Sequence, residues 1–270
     1  MFGRFFLTAI RQLALPGVLL TLSFSASGQC TQPVLFSSGA ACEQAVLSIT
    51  DSIAAVGTYE WDFCSGDFLN PHFDTAFSSV NGLLNITAGV RALSDSTGDH
   101  VFICSRDNGK VVRVDFDNGF GTQPTNFADL GNLLGTISRP NAIQFIRESG
   151  VWHSLVTDLS SNSLILSVFG NGLDSLPTSS STVFTAGLNL PEGVDIVKTA
   201  SDSVYALIAN FQDNRVLVLS FGTSILNAPT LSDSFTVAGA DGITDIDVVK
   251  DCDRWFAAVT SYRTSDLLLM

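Results

Sequence analysis

Hydrophobic and polar residues alternate in short runs over residues 88–270, and the same arrangement returns four times. The stretches 101–116, 154–169, 206–221 and 257–270 each place an apolar run, a polar turn and a second apolar run in the same order. Ile103, Val156, Ile208 and Val259 occupy equivalent positions, 53, 52 and 51 residues apart. This period predicts a repeat protein built from four related units.

Each unit also contains an apolar strand upstream of this pair, over 90–93, 143–146, 194–197 and 246–249. A further strand follows in the first three units, over 126–128, 182–185 and 234–237. Gly, Asp, Asn, Pro and Ser separate the strands, and no capped amphipathic helix interrupts them. Units of this length with four short strands predict an all-β fold, a β-propeller of four-stranded blades.

The third unit carries a more specific motif. Pro191-Glu-Gly-Val is followed by the strand 204–210 and then by Asn214-Arg-Val. This order resembles the NHL-type β-propeller repeat, which implies a propeller of the six-bladed type. The second unit departs from the motif with Pro140-Asn-Ala and Asn162-Ser-Leu, and the fourth lacks both the Pro and the Arg.

A second resemblance lies upstream of the repeats. Tyr59-Glu-Trp-Asp-Phe63 resembles the Tyr-x-Trp-Asp-Phe part of PKD-type modules, with Ser65-Gly66 as the turn that follows. Together with the blades, it makes the chain similar to secreted or surface proteins of gliding bacteria that carry PKD-like modules. The resemblance implies a degenerate PKD-like strand and turn.

The N-terminal residues have the pattern of a targeting segment. Arg4 and Arg11 precede the apolar run 13–24, and small residues lead to Gly28. This pattern predicts a signal peptide over 1–28 and a secreted or cell-surface protein of bacterial-type export. The expected domains are therefore the signal peptide 1–28, an N-terminal segment 29–87 and the propeller repeats 88–270. Because the fourth unit lacks its outer strand, we expect a propeller that is incomplete at the C-terminus, a fragment of a larger protein.

Charge and cysteine content narrow the possible partners. The formal net charge is −13, and an acidic surface disfavours the phosphate backbone of nucleic acids. The five cysteines match no zinc-binding spacing. In an oxidising compartment, Cys64 is expected to form a disulfide with Cys42 or Cys30.

Four equivalent polar residues end the second strand of each unit. They are Ser105, Asp158, Asn210 and Ser261. Short polar side chains at this position predict capping of the following turn. A likeness to sugar-lactonase propellers implies instead that Glu192, Asn210 and Asp158 hold a divalent cation through oxygen ligands. Repetition in every unit favours capping, so we expect no metal site.

The sequence contains no nucleophile elbow and no phosphate-binding loop. We therefore expect a secreted or surface propeller that acts as a binding or scaffold module for protein or glycan ligands, without catalysis, without a cofactor and without a transmembrane segment in the mature chain. The alternative is a divalent-cation-dependent propeller enzyme of the lactonase or lyase kind, with Ca²⁺ as its cofactor.

Overall fold

The computed structural model describes residues 82–117, 119–120, 122–251 and 254–270, together with the strand residues 35–36 and 47–48. The chain divides into two compact units, Met1–Ala76 and Phe77–Met270. In the first unit, β1 (Leu35–Phe36) pairs antiparallel with β2 (Leu47–Ser48). The predicted signal peptide, the PKD-like strand and four cysteines lie outside the described residues: Cys30, Cys42, Cys64 and Cys252.

In its described residues, the second compact unit, Phe77–Met270, consists of four antiparallel sheets, which follow one another along the chain. The first sheet contains β3 (Thr87–Asp95), β4 (Gly98–Ser105), β5 (Lys110–Phe116) and β6 (Asn126–Asp129). The second contains β7 (Pro140–Glu148), β8 (Val151–Asp158), β9 (Ser163–Gly170) and β10 (Ser179–Phe184). The third contains β11 (Pro191–Lys198), β12 (Val204–Asn210), β13 (Arg215–Gly222) and β14 (Thr230–Thr236). The fourth contains three strands, β15 (Ile243–Asp251), β16 (Arg254–Ser261) and β17 (Asp266–Leu269).

These sheets are the blades of a β-propeller, as the repeat predicts. The first strand of each blade packs against its counterparts, β3 against β7, β7 against β11 and β11 against β15. We call these four the inner strands. In each of them a bulge shifts the register near its beginning. In the described part of the chain, no helix has the length and apolar character needed to cross a bilayer.

Three hydrophobic cores hold the blades together, and each lies between two successive blades. Alternation along a strand sends neighbouring side chains to opposite faces of the sheet, so a blade between two others contributes side chains to the core on either side. Between the first two blades, the rings of Phe102, Phe145 and Phe169 pack with centroids 4.5 to 5.8 Å apart. The core between the second and third blades includes Leu164, Leu166, Val194 and Ile208, and the third includes Val216, Ile246 and Val259.

The turn between the second and third strands explains part of the repeat motif. Gly109, Asn162, Asn214 and Ser265 are equivalent and all have a left-handed backbone, with φ from 46° to 64°. Asparagine tolerates this conformation. The side-chain oxygens of Asn162 and Asn214 accept hydrogen bonds of 2.8 and 2.6 Å from backbone amides just before the next blade. The Asn of the Asn-Arg-Val motif therefore links consecutive blades.

Candidate active site

The four polar residues that end the second strands hold the preceding loops in place. The Ser105 and Ser261 hydroxyls accept hydrogen bonds of 2.8 and 2.9 Å from the amides of Asn85 and Asp241. The Asn210 side-chain oxygen accepts a bond of 3.1 Å from an amide in the corresponding loop. All four residues are buried. The repeat predicts capping of the turn that follows each second strand, whereas these bonds hold the loop that precedes the first strand of the blade.

Asp158 has the largest set of capping bonds. Its carboxylate accepts hydrogen bonds from the amides of Ser138, Arg139 and Ser161, at 2.6 to 2.9 Å, and from the Ser161 hydroxyl. Burial by itself would raise the pKa of Asp158, but these bonds outweigh it and lower the pKa. The oxygens of Asp158 are thus occupied by the fold.

In the suggested cation set, Asp158 and Asn210 bond the backbone of neighbouring loops, and Glu192 lies on the strand next to both: Pro191 pairs with Asn210, and the Thr157 hydroxyl bonds the Glu192 carbonyl. Asn210 uses its amide nitrogen as well, which donates to the Gly187 carbonyl at 2.7 Å. Glu192 lies near the start of an inner strand, β11, whereas Asp158 and Asn210 end second strands. Within residues the structure describes, no group of three or more His, Cys, Asp or Glu side chains is arranged to hold a metal ion.

Neighbouring inner strands approach each other closely near their beginnings. A Cβ atom on Gly89 would lie 2.6 Å from the carbonyl oxygen of Asn141, and one on Gly193 would lie 2.7 Å from the Cα of Asp245. Only glycine permits this approach. As a consequence, the carboxylate of Asp245 lies directly against Gly193, the residue that follows Glu192.

A buried aspartate joins three inner strands just beyond this point. Asp195 accepts a hydrogen bond of 2.7 Å from the Gln144 amide nitrogen in the second blade and one of 2.8 Å from the backbone amide of Val248 in the fourth. It also accepts from the amide of Ile196 at 2.8 Å. Asp195 therefore fixes the spacing of the strands that carry Glu192 and Asp245.

The backbone of Glu192 is fixed by a threonine of the second blade. The Thr157 hydroxyl donates to the Glu192 carbonyl at 2.7 Å and accepts from the amide of Ala142 at 3.0 Å. Glu192 is half-buried, whereas Asp245 keeps substantial contact with solvent. We refer to Glu192 and Asp245 as the acid pair.

Both members of the acid pair are harder to ionise than ordinary carboxyl groups. Burial raises the pKa of Glu192, the charge of Arg106 lowers it and the charge of Asp245 raises it further. For Asp245, burial again raises the pKa most, a hydrogen bond from the Ile246 amide lowers it, and the charges of Asp247 and Asp195 raise it. Raised carboxyl pKa values are typical of general acids.

Arg106 provides a hydrogen-bond donor beside the acid pair. Its Nη1 donates to the side-chain oxygen of Asn141 at 3.4 Å, and Asn141 is itself buried. The Nε atom of Arg106 is buried, makes no hydrogen bond and lies 3.9 Å from the Asp107 carboxylate. Arg106 therefore brings a positive charge next to Glu192.

The two histidines of the blades lie away from this site. His100 bonds Asp115 at 2.7 Å, and Asp115 also accepts from Arg113 at 2.6 Å. Arg113 also donates a hydrogen bond of 2.6 Å to the Leu173 carbonyl in the second blade. Burial alone would raise the pKa of Asp115, but the bonds from Arg113, His100 and Asn126 lower it. His153 is buried among neighbouring side chains. Both histidines contribute to blade packing.

Comparison with known proteins gives a fold likeness. No family model and no curated protein sequence matches the chain. Among solved structures, the chain is similar to the catalytic domain of a GH62 α-L-arabinofuranosidase from Coprinopsis cinerea, with a TM-score of 0.50 and 10% identity over 68% of this chain. It is equally similar to an α-L-arabinofuranosidase from Podospora anserina in complex with cellotriose, with a TM-score of 0.50, 9% identity and the same 68% of this chain. This chain covers 62% of each of the two structures.

These likenesses correct the functional expectation from sequence. The two solved structures named above are α-L-arabinofuranosidases, so the prediction of a binding or scaffold module without catalysis is wrong, while the alternative of a lactonase or lyase stays a prediction. The sequence contained one signal that was missed. Gly193 aligns with Asp245 in the repeat, and an acid that replaces a small residue at one position of a repeat marks a departure from the structural pattern.

Proposed function

We propose that this propeller is a glycoside hydrolase that uses the acid pair to cleave a glycosidic bond. The observation that carries the proposal is the placement of two carboxyl groups with raised pKa values on neighbouring inner strands: Asp245 lies against Gly193, and its charge acts on Glu192, the preceding residue. Glycoside hydrolysis commonly requires two such groups on either side of the scissile bond. The fold shared with α-L-arabinofuranosidases supports this class of reaction.

The environment of each carboxyl group supports a division of roles. Glu192 is half-buried, and burial and the charge of Asp245 raise its pKa, so it serves as the general acid that protonates the leaving oxygen. Asp245 is in contact with solvent and serves as the second carboxylate, at the anomeric carbon. Arg106, whose charge acts on Glu192, orients the sugar through its guanidinium group. Asp195 and Thr157 position the two strands and take no part in the chemistry.

Amide substitutions test this proposal directly. Glu192→Gln and Asp245→Asn keep the size of each side chain and remove its acid–base chemistry. Each should lower kcat/KM on aryl α-L-arabinofuranoside, or on another neutral aryl glycoside that the wild type cleaves, by roughly 10²- to 10⁴-fold. The matched control is Asp202→Asn, an exposed acid in the turn that follows β11, which should leave the rate unchanged.

The result that contradicts the proposal is equally clear. If both variants are folded and cleave the glycoside at the wild-type rate, the acid pair is not the catalytic site. A wild type without activity on a panel of neutral aryl glycosides also contradicts it.

We further propose that the repeat is of the NHL-like type and that the protein is exported. The first proposal is supported by Pro191-Glu-Gly-Val and by Asn214, whose side chain links two blades. The second is supported by the basic and apolar pattern of residues 1–28. Mass spectrometry of the N-terminus after expression with export should find a chain that begins at Gln29; an uncleaved chain in the cytoplasm contradicts it.

A further inference from the structure

Four equivalent turn residues lie at the end of the blades where the inner strands begin. Each follows directly after a second strand, and its backbone amide donates to a carbonyl just before an inner strand, at 2.8 to 3.1 Å. The four are Arg106, Leu159, Phe211 and Tyr262. Phe211 bonds Leu190, two residues before Glu192, and Tyr262 bonds Gly242, three residues before Asp245. These turns therefore flank the strands that carry the acid pair.

Two of these turns carry aromatic rings, next to each other. The centroids of Phe211 and Tyr262 are 6.5 Å apart, with an interplanar angle of 44°. Tyr262 is 71% exposed, the second most exposed large hydrophobic side chain in the described residues. An exposed aromatic ring in a turn beside a candidate active site contributes nothing to a core, so its surface is available to a ligand.

The other ring, that of Phe211, is held in place by its neighbours. The Arg263 guanidinium lies over Phe211 at 5.0 Å and is itself bonded to the Asp241 carboxylate at 2.9 Å. A Cβ on Gly242 would lie 2.7 Å from the ring, so the backbone closes against its edge. Phe211 thus supports the position of Tyr262, and the two rings form one surface, which we call the aromatic platform.

The platform fits one kind of ligand. A sugar ring has an apolar face of C–H groups and an equator of hydroxyls, so it can pack on an aromatic ring while its hydroxyls reach polar neighbours. The chain as a whole has a net charge of −13, which disfavours an anionic sugar. The chemistry favours a neutral sugar.

We propose that the aromatic platform of Tyr262 and Phe211 is a second sugar-binding site, which holds one unit of a neutral oligosaccharide while another unit lies at the acid pair. The proposal rests on the proposed function for the location of the other unit. It assigns to the protein a substrate of at least two neutral sugar units rather than a free monosaccharide or a uronate.

Direct binding measurements test the platform without requiring catalysis. Arabinotriose, xylotriose, cellotriose and arabinose are titrated against the wild type, Tyr262→Ala and Tyr262→Phe by calorimetry, with saturation-transfer NMR to identify the bound sugar unit. Tyr262→Ala should weaken binding of the preferred trisaccharide by roughly threefold to tenfold and leave arabinose unchanged. Tyr262→Phe keeps the ring and should bind within about twofold of the wild type.

A matched control and an inactive background make the outcome specific. Phe120→Ala removes another exposed aromatic ring, after β5 and in contact with Phe116, and should not affect binding. Glu192→Gln, in which hydrolysis is slowed, serves as the background in which Tyr262→Ala is compared with Tyr262 on an intact trisaccharide. If hydrolysis is absent but Tyr262→Ala weakens trisaccharide binding, the platform stands and the proposed function falls.

Three results overturn the platform. The first is equal trisaccharide affinity in the wild type and in folded Tyr262→Ala. The second is an equal loss of affinity for arabinose and for the trisaccharide. The third is binding of trigalacturonate at least as tight as that of any neutral trisaccharide, which overturns the assignment of a neutral ligand.

Discussion

Blades 2 and 4 contain nearly the same hydrophobic strand in very different surroundings. Leu164 and Leu166 of β9 correspond to Leu267 and Leu269 of β17, because the cross-strand pairs that precede them are equivalent. Leu164 and Leu166 are 0% and 6% exposed, whereas Leu267 and Leu269 are 65% and 75% exposed. The side chains are identical, so the difference comes from the neighbour: the third blade covers the second, and the corresponding face of the fourth is open to solvent.

This comparison shows how stability is distributed in a repeat fold. A blade has little core of its own, and its apolar faces are buried by the blades on either side. In the fourth blade, the face toward the third is well packed, with Ile246 and Val259 buried. Its other face keeps Val249 and Leu267 exposed. The same sequence pattern therefore stabilises one blade much more than another.

The largest expected effect is on the free energy of unfolding, and it should differ between alanine variants of two equivalent leucines, Leu164 and Leu267. Leu164→Ala removes a fully buried side chain and leaves a cavity, so it should lower the free energy of unfolding by about 2 to 5 kcal/mol. Leu267→Ala removes an exposed side chain and should change it by less than about 0.5 kcal/mol. Urea unfolding followed by circular dichroism measures both. Similar losses in the two variants would show that the open face of the fourth blade is covered in solution.

A second pair of equivalent residues, two aspartates, tests the contacts between inner strands. Asp195 and Asp247 are equivalent, but Asp195 is buried with bonds to Gln144 and Val248, and Asp247 is exposed. Asp195→Ala leaves buried donors without an acceptor, so it should cost about 1 to 3 kcal/mol. Asp247→Ala should cost less than about 0.5 kcal/mol. Chemical denaturation compares them, and equal costs would mean that Asp195 does not join the blades.

Much of the fold follows from the sequence because the repeat and the strand alternation are local signals. The equivalence of Ile103, Val156, Ile208 and Val259 predicts the four second strands, and the structure confirms it. The inner strands are longer than predicted: the third was expected over 194–197 and extends over Pro191–Lys198. The extra residues precede a bulge, which breaks the alternation that the prediction uses.

The candidate site follows less from the sequence, because it depends on packing between blades. Glu192 was grouped with Asp158 and Asn210, whose polar atoms are used by their own turns. Asp245, whose charge acts on Glu192, lies 53 residues further along the chain. The two are brought together by the approach of β15 to Gly193. A repeat alignment gives equivalent positions, but it does not tell which of them touch.

The smallest expected effect is on the free energy of unfolding when Glu192, where the third blade meets the fourth, is replaced by a neutral residue. Glu192 has a raised pKa in the folded protein, so the folded state holds its proton more tightly than the unfolded state does. Its destabilising effect is therefore absent at pH values below the ordinary glutamate pKa of about 4.3 and develops as pH rises through the folded-state pKa. Glu192→Gln is neutral throughout, like Asn141 at the equivalent position of the second blade. It should be more stable than the wild type by up to about 1 kcal/mol at pH 7 and by a smaller amount at pH 4. Urea unfolding at the two pH values measures this difference, with Asp202→Asn as the exposed control. A glutamine variant that is less stable than the wild type at pH 7 would mean that the charged carboxylate is well solvated or paired, and Glu192 would then lack the retained proton that a general acid requires.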